Sequence, residues 1–109
     1  MSVTIQTLIE PQQIPAASTL LFTASGPTAI DAMTLYNQVA NAACKVSINW
    51  TTGGAAAASN LVTEHTMQPG EVYPVFGMIG QVLTAADRIY ATAATASLVN
   101  IMASGTVAT

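Results

Sequence analysis

The clearest pattern in the chain is "CKVSINWT" at 44–51, where Cys44, Val46, Ile48 and Trp50 alternate with Lys45, Ser47, Asn49 and Thr51. A period of two predicts a β-strand with one face turned to a core. "TLLFTAS" at 19–25, ended by "SGP", and "LVTEHTM" at 61–67 read the same way. "VYPVF" at 72–76 is expected at a sheet edge or bent, because Pro74 cannot donate to a ladder. Before it, Pro69-Gly70 of "QPGE" suits the central positions of a type II turn.

"AIDAMTLYNQV" at 29–39 supports two patterns. Ile30, Met33, Asn37 and Ala40 fall near one helical stripe, whereas Thr34, Tyr36 and Val39 favour a strand. The strand reading prevails because the short "ANAA" connection at 40–43 calls for an adjacent antiparallel element, making a hairpin with 44–51. "TTGGAAAASN" at 51–60 is a loop with room for a single helical turn. "LTAAD" at 83–87 leads into a closing hairpin. In it Ile89, Ala91 and Ala93 alternate with Tyr90, Thr92 and Ala94, "TAS" at 95–97 turns, and Val99, Ile101 and Ala103 alternate with Leu98, Asn100, Met102 and Ser104.

Seven or eight short strands at this spacing predict an all-β protein, an antiparallel β-sandwich of Ig-like or jelly-roll-like form, over residues 19–109. Residues 1–18 stand apart through the Pro-flanked "IEPQQIPAAS" at 9–18. Val3, Ile5 and Leu8 lie either on an arm that packs on a neighbour or on a first strand of the same sandwich, and both readings stay open.

Length and composition narrow the function. A chain of 109 residues is one domain. Charged residues make up 6% of it, against an average near 25%; Thr, Ser, Asn, Gln and Ala take their place. Lys45 and Arg88, the two basic residues, are too few to neutralise a run of phosphates or to dock on anionic lipid, so neither nucleic acid nor a membrane is expected as partner. The uncharged stretch 89–109 is long enough to span a bilayer, but Ala, Thr, Ser, Asn100 and Gly105 dilute its apolar residues, and two strands are the better reading. The N-terminus lacks a basic region and carries Glu10 and Pro11, so no signal peptide is expected.

The chemistry expected is none. Glu10, Asp31, Glu64, Glu71 and Asp87 show no paired spacing for acid/base work. His65 follows Glu64, so the two point to opposite strand faces, and the sequence nominates neither nucleophile nor orienter for it. Single Cys44 sits at an apolar position and reads as a buried thiol, which allows neither a disulfide framework nor a multi-thiolate metal site. Gly53-Gly54 lacks the residues of a phosphate-binding loop, and Asn49-Trp50-Thr51 matches a glycosylation acceptor only by coincidence inside a strand. No catalytic residue, metal or cofactor is expected, and the chain is read as not an enzyme.

The order of pieces, "LYNQVANAACKVSINW", a Gly-rich loop, "NLV", "PGEVYPV" and "LTAADRIYATAATASLVNIMASG", resembles small β-sandwich structural proteins of tailed bacteriophages. The likeness covers roughly residues 19–106. Members carry a similar L-x-A-G-D-x-I turn, and here Ala86 stands in the place of its Gly. The resemblance implies a virion component made in the host cytoplasm, either a capsid decoration (cement) protein or a head or tail accessory protein. A decoration protein would have the major capsid protein and copies of itself as partners, and Val3, Ile5, Leu8, Thr92 and Asn100 are the candidate assembly contacts. The alternative is a fibre module that binds a host receptor or carbohydrate by stacking on Tyr36, Trp50, Tyr73 or Tyr90.

Overall fold

The computed structural model describes residues 2–108 and, among them, nine strands and one short 3₁₀ turn. In chain order the strands are β1 (Val3–Gln13), β2 (Thr19–Thr23), β3 (Thr28–Asn37), β4 (Cys44–Thr51), β5 (Leu61–Met67), β6 (Val72–Pro74), β7 (Val82–Leu83), β8 (Arg88–Ala93) and β9 (Val99–Ala108). The turn, Ala58–Asn60, falls in the Ala-rich loop. All strand pairs are antiparallel.

Sheet I runs β1-β9-β3-β6, with β7 also on β3, and sheet II runs β2-β8-β4-β5. The expected all-β antiparallel sandwich is therefore the architecture found. Side chains of both sheets meet in one core containing Ile9, Ile30, Leu35, Val46, Ile48, Ile89 and Ile101. Strand alternation is cleanest in β8 and β9, whose residues are in turn buried and half-buried. Cys44 is buried, its Sγ 3.6 Å from the Thr95 carbonyl.

The two expected hairpins do not form. Residues 29–39 belong to sheet I and 44–51 to sheet II, and β8 and β9 are likewise in different sheets. Short connections that look like hairpin turns are arches that carry the chain across the sandwich. An arch needs to span only the roughly 10 Å between packed sheets, well within the reach of five or six residues. Alternation says which face of a strand is buried, not which strand lies beside it, so the two connections look alike in sequence.

Asn37 shows how one arch is held. Fully buried, it donates from Nδ2 to the carbonyls of Ala42 (2.8 Å) and Met67 (3.3 Å), and its Oδ1 accepts from Val39 N–H. The second arch is tied to the first by Gln38 N–H donating to the Leu98 carbonyl. Among the nine strands, β4 and β5 are the one pair of chain neighbours that are also ladder neighbours.

The segment 68–71 makes the expected turn: Glu71 N–H donates to the Gln68 carbonyl at 3.0 Å, and Gly70 has φ +73°. β6 lies at a sheet edge, as Pro74 demands. β1, with two bulged interruptions, pairs with β9 from Val3 to Gln13, so the N-terminal segment is a first strand of the sandwich.

Candidate assembly surface

Each sheet has an outward face, and the two differ in charge. On sheet II the pairing and alternation put Lys45, Glu64 and Arg88 outward together with Leu20, Ser47, Tyr90 and Thr92. Lys45 Nζ lies 3.4 Å from Glu64 Oε1, both side chains being about half exposed. The Ala-rich loop folds over part of this face: Asn49 donates to the Ala57 carbonyl and to Asn60 Oδ1, each at 2.9 Å. A hollow of about 310 Å³ beside it is lined by Ser18, Ser47, Glu64 and Thr92.

On sheet I the outward positions are Val3, Ile5 and Thr7 of β1; Asn100, Met102, Ser104 and Thr106 of β9; Ala29, Ala32, Thr34 and Tyr36 of β3; and Val72, Pro74 and Val82 at the far edge. None of these carries a charge. Asp31, on a bulge of β3, accepts a hydrogen bond of 2.8 Å from Thr106 Oγ1. Five of the exposed large hydrophobic residues lie here: Val3, Ile5, Tyr36, Val72 and Val82. Where β1 and β3 both bulge, Thr7, Pro11, Ala32, Thr34 and Met102 line a shallow hollow of about 190 Å³.

The five candidate contacts do not share one surface. Val3 (64% exposed) and Ile5 (82%) project from sheet I at one end of β1. Leu8 is half-buried at the first bulge, packed on the core and over Gly105. Asn100 stands at the other end of the same face, opposite Gln13 and Tyr36, with Oδ1 buried and without a protein hydrogen-bond partner. Thr92 lies on sheet II.

A second cluster escaped the sequence. His65 of β5 turns into the space between the sheets at their open edge. Its Nε2 is 2.9 Å from Glu71 Oε2, and its ring stacks on Tyr73 of β6 at 3.9 Å with 7° between planes. Phe76 meets Tyr73 edge-on at 6.0 Å and is 69% exposed. The Gln68 N–H bond to Glu71 Oε1, then the His65 contact, hold the Glu71 carboxyl below its ordinary value of 4.5. The signal was the spacing: His65 and Glu71 flank a Pro-Gly turn that brings them face to face. The cluster ties β5 to β6 across the two sheets; a histidine with an orienting carboxylate still needs a nucleophile, and neither Glu71 nor Tyr73 stands beside the ring in that role.

The four aromatic residues proposed for sugar stacking are dispersed. Tyr36 is on sheet I, Tyr90 on sheet II beside Arg88, Tyr73 between the sheets, and Trp50 packs on the core while donating from Nε1 to Asp87 at 3.1 Å. Among the described residues no group of three or more His, Cys, Asp or Glu is placed to hold a metal ion, and no helix is long and apolar enough to cross a membrane.

No protein-family model matches the chain, and no curated protein matches it. Among solved structures, a chain from the structure of infectious bursal disease virus, Gt strain, aligns with a TM-score of 0.31 and 10% identity, over 95% of this chain and 30% of that one. A likeness of that extent assigns neither a fold family nor a role.

Proposed function

We propose that the chain is a virion structural protein of a tailed phage, a capsid decoration protein that binds the outer face of the major capsid lattice and reinforces it. The observation that carries this reading is the charge-poor outward face of sheet I, where Asp31 is bonded to Thr106 and five exposed hydrophobic residues lie among neutral ones. Most of such a face can be covered without stripping water from ions, the costly step at charged interfaces. The mechanism is mechanical: contact area added across neighbouring capsid subunits opposes their separation. The resemblance in sequence to phage β-sandwich proteins supports the same role, with the capsid surface as location and host cytoplasm as site of synthesis.

The test is addition of purified protein to expanded capsids that lack it. Saturable binding at many copies per particle, with raised resistance of the particles to heat, is the expected result. Failure to bind rules out cementing. Binding of the isolated chain to host cells or glycans, with no binding to capsids, would favour the fibre-module reading, for which the dispersed aromatics offer no common platform.

A further inference from the structure

Strand β1 ends sheet I and pairs with β9 along one side; among the described residues no strand lies along the other. Its first five residues, Val3 to Thr7, precede the first bulge, and all five are exposed. A regular strand with one free side offers a row of backbone donors and acceptors whose matching occupant is another extended strand. The other edge of sheet I is broken into β6 and β7 and carries Pro74; on sheet II the edge strand β2 has five residues and is bulged between Leu20 and Phe22, and the edge strand β5 carries Glu64 in its ion pair. Among these edges, β1 is the one with five successive residues that pair without a bulge and carry no charge.

We infer that β1 pairs antiparallel with β1 of a second copy, about a two-fold axis at Ile5, joining two copies of sheet I into one continuous sheet. The register follows from the bulge. Regular pairing is confined to residues 3–7, whose midpoint is residue 5, so Ile5 faces its own mate, Val3 faces the second copy's Thr7, and Thr4 faces its Gln6. The first two kinds of pair are β-branched residues on one face, favourable cross-strand partners, and the third is polar on polar. A chain of net charge −3 would ordinarily resist a like neighbour, but no charged residue lies within Val3–Thr7, so the ladder meets no opposing charges in register. Two-fold pairing closes on itself and stops at a dimer, which removes the open edge as an aggregation hazard.

The inference takes from the proposed function only that copies of the chain meet, and its test needs no capsid. Light scattering during gel filtration of the full chain, over a concentration series, should show the mass rise from 11.1 kDa to twice that. Ile5→Lys, which sets two ammonium groups opposite each other, should weaken self-association by roughly tenfold or more, with a melting temperature equal to the wild type's at dilutions where both are monomers. Val82→Lys, at the opposite edge of the same sheet, should leave it intact. Directly opposed residues of an antiparallel pair are about 4.5–5.5 Å apart at Cα, within disulfide range. Ile5→Cys should therefore give a covalent dimer under mild oxidation, whereas the wild-type chain, whose Cys44 is buried, and Val82→Cys should not. A monomer at every concentration, a dimer indifferent to Ile5→Lys, or cross-linking through Val82→Cys rather than Ile5→Cys overturns the inference. Cross-linking of Ile5→Cys to a different chain in particles, with a monomer in solution, overturns it in favour of a foreign strand on β1. A monomeric Ile5→Lys variant that still binds capsids would support the β1 pairing and show that the decoration reading does not depend on it.

Discussion

Single residues set the turns and close approaches that this sandwich depends on. Ala86 occupies φ +74° in the turn 84–87, closed by Asp87 N–H to the Thr84 carbonyl and by Thr84 N–H to Asp87 Oδ2. An L-residue there costs about 1–2 kcal/mol, a strain that glycine would relieve. Ala86→Gly is expected to raise stability by roughly 0.5–1 kcal/mol, read as an increased melting temperature. Gly105 is the opposite case: a Cβ there would overlap the Ala29 carbonyl oxygen and come within 2.7 Å of Leu8 Cδ1. Backbone cannot yield as a side-chain tip can, so Gly105→Ala should cost several kcal/mol, on the order of 3, measured by denaturant unfolding. Asn37→Ala would strand the Ala42 carbonyl of the arch and the Met67 carbonyl of β5, and cost about 1–3 kcal/mol by the same measurement.

At the scale of elements, the β5–β6 connection carries a charge-dependent tie. Glu71 is held below its ordinary pKa in the folded protein, so its contribution to stability is present above the unfolded value of about 4.5 and is lost as pH falls through the lowered folded value. The wild-type chain should lose stability on acidification below that point. Glu71→Gln should be less stable at neutral pH and flatter in its acid dependence, measured as melting temperature against pH. None of this was legible from His65 alone, because Glu64, its chain neighbour, points to the other face while Glu71, six residues away, is the partner. The arches are the other element-scale lesson: five residues between Ala93 and Val99 suit a hairpin and an arch equally well in sequence. Core packing chose the arch, since β8 and β9 each bury an alternating apolar face and the two faces meet across the sandwich.

For the whole molecule, a slab 18 Å thick presents two broad faces of unequal charge. If sheet I is the covered one, Thr34→Lys and Asn100→Lys should reduce particle binding by about tenfold or more through buried, unpaired charge, while Thr92→Lys on sheet II should leave it unchanged. Equal effects of all three, in a capsid-binding assay with melting temperatures held similar, would remove sheet I from its special place. The sequence by itself determined that this is a β-protein with a charge-poor surface, where its turns fall, and which side of β4, β8 and β9 is buried, because alternation and Gly/Pro chemistry are local. Only the tertiary structure decided which strands are neighbours, that Thr92 and Asn100 lie on different sheets, that β1 completes sheet I and leaves an edge free, and that His65 meets Glu71 and Tyr73. Those are long-range pairings, selected by the packing of two sheets on a shared core rather than by any short stretch of chain.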